Sequence, residues 1–116
     1  VALIRKKTSN VLTPVSVSTP QDGGGFTEET LQVRLSIIKR SRLREIIEQS
    51  QAGDLNDDDI ARELVVGWED YLDESGQPVA FSYEELEELL ENPFVPSAIA
   101  YAVVNMYTGD GAKAKN

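Results

Sequence analysis

Asp54, Asn56 and Asp58 stand at alternate positions, the spacing of the first three oxygen ligands in a calcium-binding helix–loop–helix. That loop also needs a glycine at its sixth position and a glutamate at its twelfth, where this chain has Asp59 and Val65. The stretch reads more simply as a helix start, with Asp57, Asp58 and Asp59 in the first turn where the dipole favours negative charge. Glu84, Glu85, Glu87, Glu88 and Glu91 could form a catalytic carboxylate pair or bind magnesium. They surround a Leu86/Leu89/Leu90 stripe, however, as the solvated face of a helix does. Gly23-Gly24-Gly25 has the composition of a phosphate loop, but neither a following Lys-Ser/Thr nor the GxGxxG spacing, and reads as a flexible hairpin loop. Lys39, Arg40, Arg42 and Arg44 crowd four positive charges into six residues. They either pair with the acidic second half of the chain or form a docking patch for an acidic partner.

Composition narrows the chemistry further. The 116 residues include no histidine and no cysteine. That removes the side chain titrating near neutrality, the thiolate nucleophile and the commonest zinc ligands. Ser-His-Asp hydrolases, Cys-His proteases and zinc enzymes are thereby ruled out. With the acidic clusters assigned to helix starts and faces, neither a catalytic residue nor a cofactor or metal site is expected. The net charge of −9 is unevenly placed. Residues 1–44 hold eight Lys/Arg against three Asp/Glu, and the remainder three against seventeen. The acidic half would repel phosphate backbones, so nucleic acid is not an expected partner. Arg5, Lys6 and Lys7 lead into Thr8, Ser9 and Asn10 rather than an apolar stretch, so no secretion signal is expected. No apolar run approaches the length of a membrane span. A soluble cytoplasmic binding protein fits these features.

The elements that must position these residues follow from periodicity. Val15 and Val17 alternate with Ser16 and Ser18, and Pro14 pushes this strand toward a sheet edge or a bulge. Leu31, Val33, Leu35 and Ile37 alternate with Gln32, Arg34 and Ser36. The two make a β-hairpin over 10–38 with a long glycine-rich loop, the second strand starting near Thr30. Past Ser41, a plausible N-cap, the period becomes helical, with Leu43, Ile46 and Ile47 facing inward and Gly53 as a stop. A second short helix is capped by Asn56 or Asp57 and turns Ile60, Leu64 and Val65 inward. Val66 to about Leu72 is extended, and with Val79–Phe81 could make a small irregular hairpin. Ser82 and Glu85 form a capping box for a third helix that Pro93 ends. A fourth starts near Pro96, with Ile99, Ala102, Val103 and Met106 inward, and stops at Gly109. The expected class is α+β: a flexible N-terminus over 1–9, one domain over 10–109 that is mainly helical from 41, and a frayed tail over 110–116. In so small a domain Trp68 and Phe81 are core candidates. Tyr101 and Tyr107 fall partly off the inner face of the last helix and join Lys39, Arg40, Arg42 and Arg44 as partner-binding candidates.

Gly67-Trp68, the turn Asp73-Glu74-Ser75-Gly76-Gln77-Pro78-Val79-Ala80-Phe81-Ser82 and the leucines at 86, 89 and 90 resemble the tail assembly chaperones of long-tailed bacteriophages and prophages. The N-terminal hairpin, the basic junction and the proline-led helix from Pro93 to Tyr107 are similar too, so the resemblance spans nearly the whole chain. It carries no catalytic residues. It implies a protein of the infected host cytoplasm, absent from the mature virion. Such a protein binds the tape-measure protein, keeps that aggregation-prone helical chain soluble, and helps tail-tube subunits assemble around it. The N-terminal edge strand could also pair between subunits into a homo-oligomer. The competing expectation is a structural tail completion or connector subunit.

Overall fold

The computed structural model describes residues 1–6 and 9–109, and the tail expected over 110–116 lies outside them. Residues 1–6 are exposed and outside regular structure. The alternating apolar residues form two strands, β1 (Asn10–Pro20) and β2 (Phe26–Ser36). They pair antiparallel along their full length, from Asn10↔Ser36 to Pro20↔Phe26. One face of the pair buries Val15, Val17, Leu31, Val33 and Leu35. The ladder begins at Phe26 rather than Thr30, so the connection is only residues 21–25, shorter than expected. Gly23, Gly24 and Gly25 take φ of +87°, +99° and +78° in succession, conformations that strain any residue with a Cβ.

The Ile37 amide donates to the Ser9 carbonyl at 2.9 Å. With the register, this means that odd-numbered residues of β1 bond to β2 and even-numbered ones turn their backbone groups outward. Pro14 and Pro20 therefore occupy positions where the ladder loses no donor. β1 is a sheet edge, as its proline suggests, because the strand order is β1-β2-β3.

The third strand, β3 (Val65–Glu69), pairs antiparallel with β2. The first part of the segment expected as a separate small hairpin joins the main sheet, and the hairpin itself is confined to residues 71–79. There a Leu72↔Pro78 bridge is flanked by bonds from the Val79 amide to the Tyr71 carbonyl at 2.8 Å and from the Asp73 amide to the Gln77 carbonyl at 2.9 Å. Val65 and Trp68 are three apart and would face opposite ways in a regular strand. The register shifts between Arg34↔Gly67 and Leu35↔Val65, leaving Val66 as an extra residue. This bulge turns both Val65 and Trp68 to the buried face.

Four helices follow the pattern of caps and apolar stripes: α1 (Arg40–Gln51), α2 (Asp57–Leu64), α3 (Tyr83–Leu90) and α4 (Val95–Thr108). They complete the expected α+β class. α1 begins two residues before its expected start: Lys39 is the N-cap, makes no side-chain cap bond, and leaves Ser41 inside the helix. α2 has a full capping box, in which Asn56 accepts from the Asp59 amide at 2.9 Å and Asp59 accepts from the Asn56 amide at 3.2 Å. At α3, where the box was expected, only half forms: Ser82 Oγ accepts from the Glu85 amide at 3.0 Å. α4 carries its proline in the first turn and ends on left-handed Gly109, as expected.

The helices cover the apolar face of the sheet. The other face is polar, with Arg34 Nη2 2.8 Å from Glu69 Oε2 and Nη1 3.3 Å from Asn10 Oδ1. Leu35, Leu64, Leu86 and Ile99 are among the largest fully buried side chains, one or more from β2, α2, α3 and α4. Trp68 ties the layers together. Its indole N–H donates to the Val79 carbonyl at 2.7 Å, and its ring meets Tyr71 and Phe81 edge-on with centroids 5.1 and 4.8 Å apart. Replacing Trp68 with phenylalanine keeps a ring but leaves the carbonyl unpaired. Chemical denaturation should show a loss of about 1–3 kcal/mol with an unchanged m-value. A smaller loss would show that the indole bond contributes little.

Candidate functional site

The turn at residues 73–82 is a folding device. Asp73 Oδ1 accepts from the amides of Ser75 and Gln77, both at 2.9 Å, and from Ser75 Oγ at 2.7 Å. Gly76, at φ +83°, donates back to the Asp73 carbonyl. The turn delivers Val79 to the Trp68 indole, Phe81 to the Trp68 ring and Ser82 to the start of α3. None of these side chains converges on a cleft with a second chemical group. Asp54, Asn56 and Asp58 do not wrap a common centre either: Asn56 is occupied as a cap and Asp58 lies 3.9 Å from Arg62. Among the described residues no group of three or more Asp and Glu is placed to hold a metal ion.

The basic run divides into two functions. Arg42 forks onto Glu63 of α2, with Nε 2.7 Å from Oε2 and Nη2 2.5 Å from Oε1, and lies 3.6 Å from Glu45. This is pairing with the acidic half of the chain, and it engages the Arg42 guanidinium within the fold. Arg62 of α2 repeats the geometry on Glu87 of α3, at 2.7 and 3.0 Å. Consecutive helices are thus stitched by two bidentate pairs. Lys39, Arg40 and Arg44 are exposed, and none of them pairs with a carboxylate among the described residues.

Beside those free cations runs an apolar groove of about 460 Å³ between α1 and α4. Its floor is Ile46, Ile60 and Val103, all buried. Leu43 and Ile47 form the α1 wall; Tyr101, Val104 and Tyr107 form the α4 wall. The mouth is open to solvent: Tyr101 is 70% exposed, Val104 53% and Ile47 48%. Leu43, Ile46 and Ile47 share a face as the helical period requires, but Ile46 alone is buried on α1. The other two line the groove because α4 stands too far away to cover them.

Hydrogen bonds fix both ends of the groove. Tyr107 Oη accepts from the Ile38 amide at 2.9 Å and donates to the Ser36 carbonyl at 3.0 Å, pinning the end of α4 beside the start of α1. Tyr107, a partner-binding candidate, therefore spends its hydroxyl inside the fold and offers only its ring. At the other end the Leu55 amide donates to the Gln49 carbonyl, drawing Asp57 to the groove. The structure brings Tyr101 and Tyr107 to one surface; the helical period puts Arg40 and Arg44 on the flank of α1 that carries Ile47, whereas Arg42 is engaged with Glu63. Ile47 and Val104 belong to that surface and were not identified from sequence. The available signal was an apolar stripe on α1 wider than a single neighbour can cover.

Hydrogen bonds from Arg42 hold the Glu63 carboxyl below its ordinary range, against partial desolvation. Arg62 does the same to Glu87, and Ser75 with the Gln77 amide to Asp73. A carboxylate whose folded pKa lies below its unfolded value contributes stability that is complete at neutral pH and lost as pH falls through the folded pKa. The thermal midpoint should therefore fall as pH drops below about 4, the ordinary carboxylate range. Glu63→Gln should lower the midpoint at neutral pH and make that acid limb shallower. Arg42→Ala should lower the midpoint more than Arg40→Ala or Arg44→Ala. Equal effects of the three would mean that the fork contributes nothing.

Comparison with known proteins finds no matching family model, no matching curated protein and no matching solved structure.

Proposed function

We propose that this chain is a non-catalytic assembly chaperone of long-tailed bacteriophages. It holds an amphipathic helix of the tape-measure protein in the α1–α4 groove while tail-tube subunits assemble around that client. On this reading it acts in the cytoplasm of the infected host and is left out of the mature virion. The observation that carries the reading is the open groove itself. It has an apolar floor with exposed Ile47, Tyr101 and Val104 at its mouth, on a chain whose net charge is −9. A groove between two helix ridges accepts the i, i+3, i+4, i+7 stripe of a third helix. Strong net charge helps a protein remain dispersed while it holds an apolar client. The resemblance of residues 67–90 to tail assembly chaperones supplies the identity of the client. Among the described residues no helix is long and apolar enough to cross a membrane.

Co-expression with the tape-measure protein tests this. The native chain should shift that protein from the pellet to the supernatant and co-purify with it. Ile47→Asp and Val104→Asp, both at exposed positions, should retain the native circular dichroism and lose the effect. A client that is equally insoluble with and without the chain would refute the proposal. Recovery of the chain from purified virions would make it a structural tail subunit instead.

A further inference from the structure

The groove is apolar along its length but not electrically neutral along its rims. Arg40, Arg44, Ile47 and Gln51 follow one another at i, i+4, i+7 and i+11, which places them on one flank of α1. Ile47 and Gln51 line the groove, so Arg40 and Arg44 continue the same rim toward the start of α1. Lys39 stands at that end as the N-cap. The opposite rim on α4 runs Tyr101, Val104 and Thr108 and carries no charge. Arg42, the one cation of the run pointing elsewhere, is the one satisfied by a carboxylate.

We infer that the groove selects an amphipathic helix whose apolar stripe is bordered by Asp or Glu on the flank that lies over α1. This rests on the chaperone reading of the groove and adds the chemistry of its occupant. Three cations that pair with no carboxylate among the described residues, beside an apolar surface, are complementary to an acidic-flanked helix. A lysine-flanked helix would meet Arg40 and Arg44 as like charges. An extended peptide is less well served, because the free edge of β1 lacks amide donors at Pro14 and Pro20. A small polar ligand would find few converging polar groups among Ser50, Gln51, Asp57 and Thr108.

Three fluorescent helical peptides of about 18 residues, long enough for about five turns, isolate the effect. All share one leucine stripe, and its borders are glutamate, glutamine or lysine. Fluorescence anisotropy at low salt should show the glutamate peptide binding about tenfold tighter than the lysine peptide, with the difference shrinking as salt is raised. Arg40→Glu/Arg44→Glu should reverse the order, and Ile47→Asp should weaken all three peptides. Circular dichroism confirms that each variant is folded. Equal binding of the three peptides, or an unchanged order in the double variant, overturns the charge selection and leaves the groove reading standing. No binding of any peptide, or binding that Ile47→Asp leaves intact, removes both. Self-association that Ile47→Asp abolishes and that the glutamate peptide does not displace would assign the groove to a second copy of this chain and overturn the inference.

Discussion

The structure depends on bringing one indole out of a short strand and into the space between sheet and helices. Trp68 can reach that space only because the bulge at Val66 restores its side chain to the buried face. Once there, it fixes the chain in both directions. Upstream, β3 becomes the third strand of the sheet; downstream, the Val79 carbonyl and the Phe81 ring dock on the indole, so α3 must start where Ser82 leaves it. A polar N–H inside an apolar cluster must find an acceptor, and the acceptor it finds sets the path of the following turn.

This explains why different parts of the fold were unequally legible in the sequence. The hairpin, the start of α3 at Ser82 and the end of α4 at Gly109 are written in local signals: alternation, a capping side chain and a left-handed glycine. β3 is legible as an extended arm of a small hairpin but not as a strand of the main sheet, since a bulge breaks the period that would reveal it. The start of α1 was misplaced because Lys39 caps it without a side-chain bond. The groove was least legible. Whether Leu43 and Ile47 are covered depends on where α4 comes to rest, and the Tyr107 hydroxyl sets that position through two backbone groups far away in sequence. The motif at 73–82 was legible as a pattern, and its geometry shows a reason for the pattern that is entirely internal to the fold.

The charges divide along the same lines. Arg42 and Arg62 act inward, each forked onto a glutamate of the next helix, so that α1, α2 and α3 are held in a fixed relation by planar contacts. Exposed ion pairs of this kind add little to stability, but their two-point geometry restricts how the helices can slide. The cations left over are those that flank the apolar opening. A run that looks uniform in sequence is thus sorted by the 100° turn of the helix into residues that build the protein and residues that face outward.

The two prolines of β1 have a consequence beyond the hairpin that contains them. The outer border of that strand is the sheet's open end, where one molecule could be continued by the next. Nitrogens without hydrogen at Pro14 and Pro20 interrupt the row that an incoming strand would have to match. These two gaps are covalent features rather than charges, so raising the salt would not restore the missing donors.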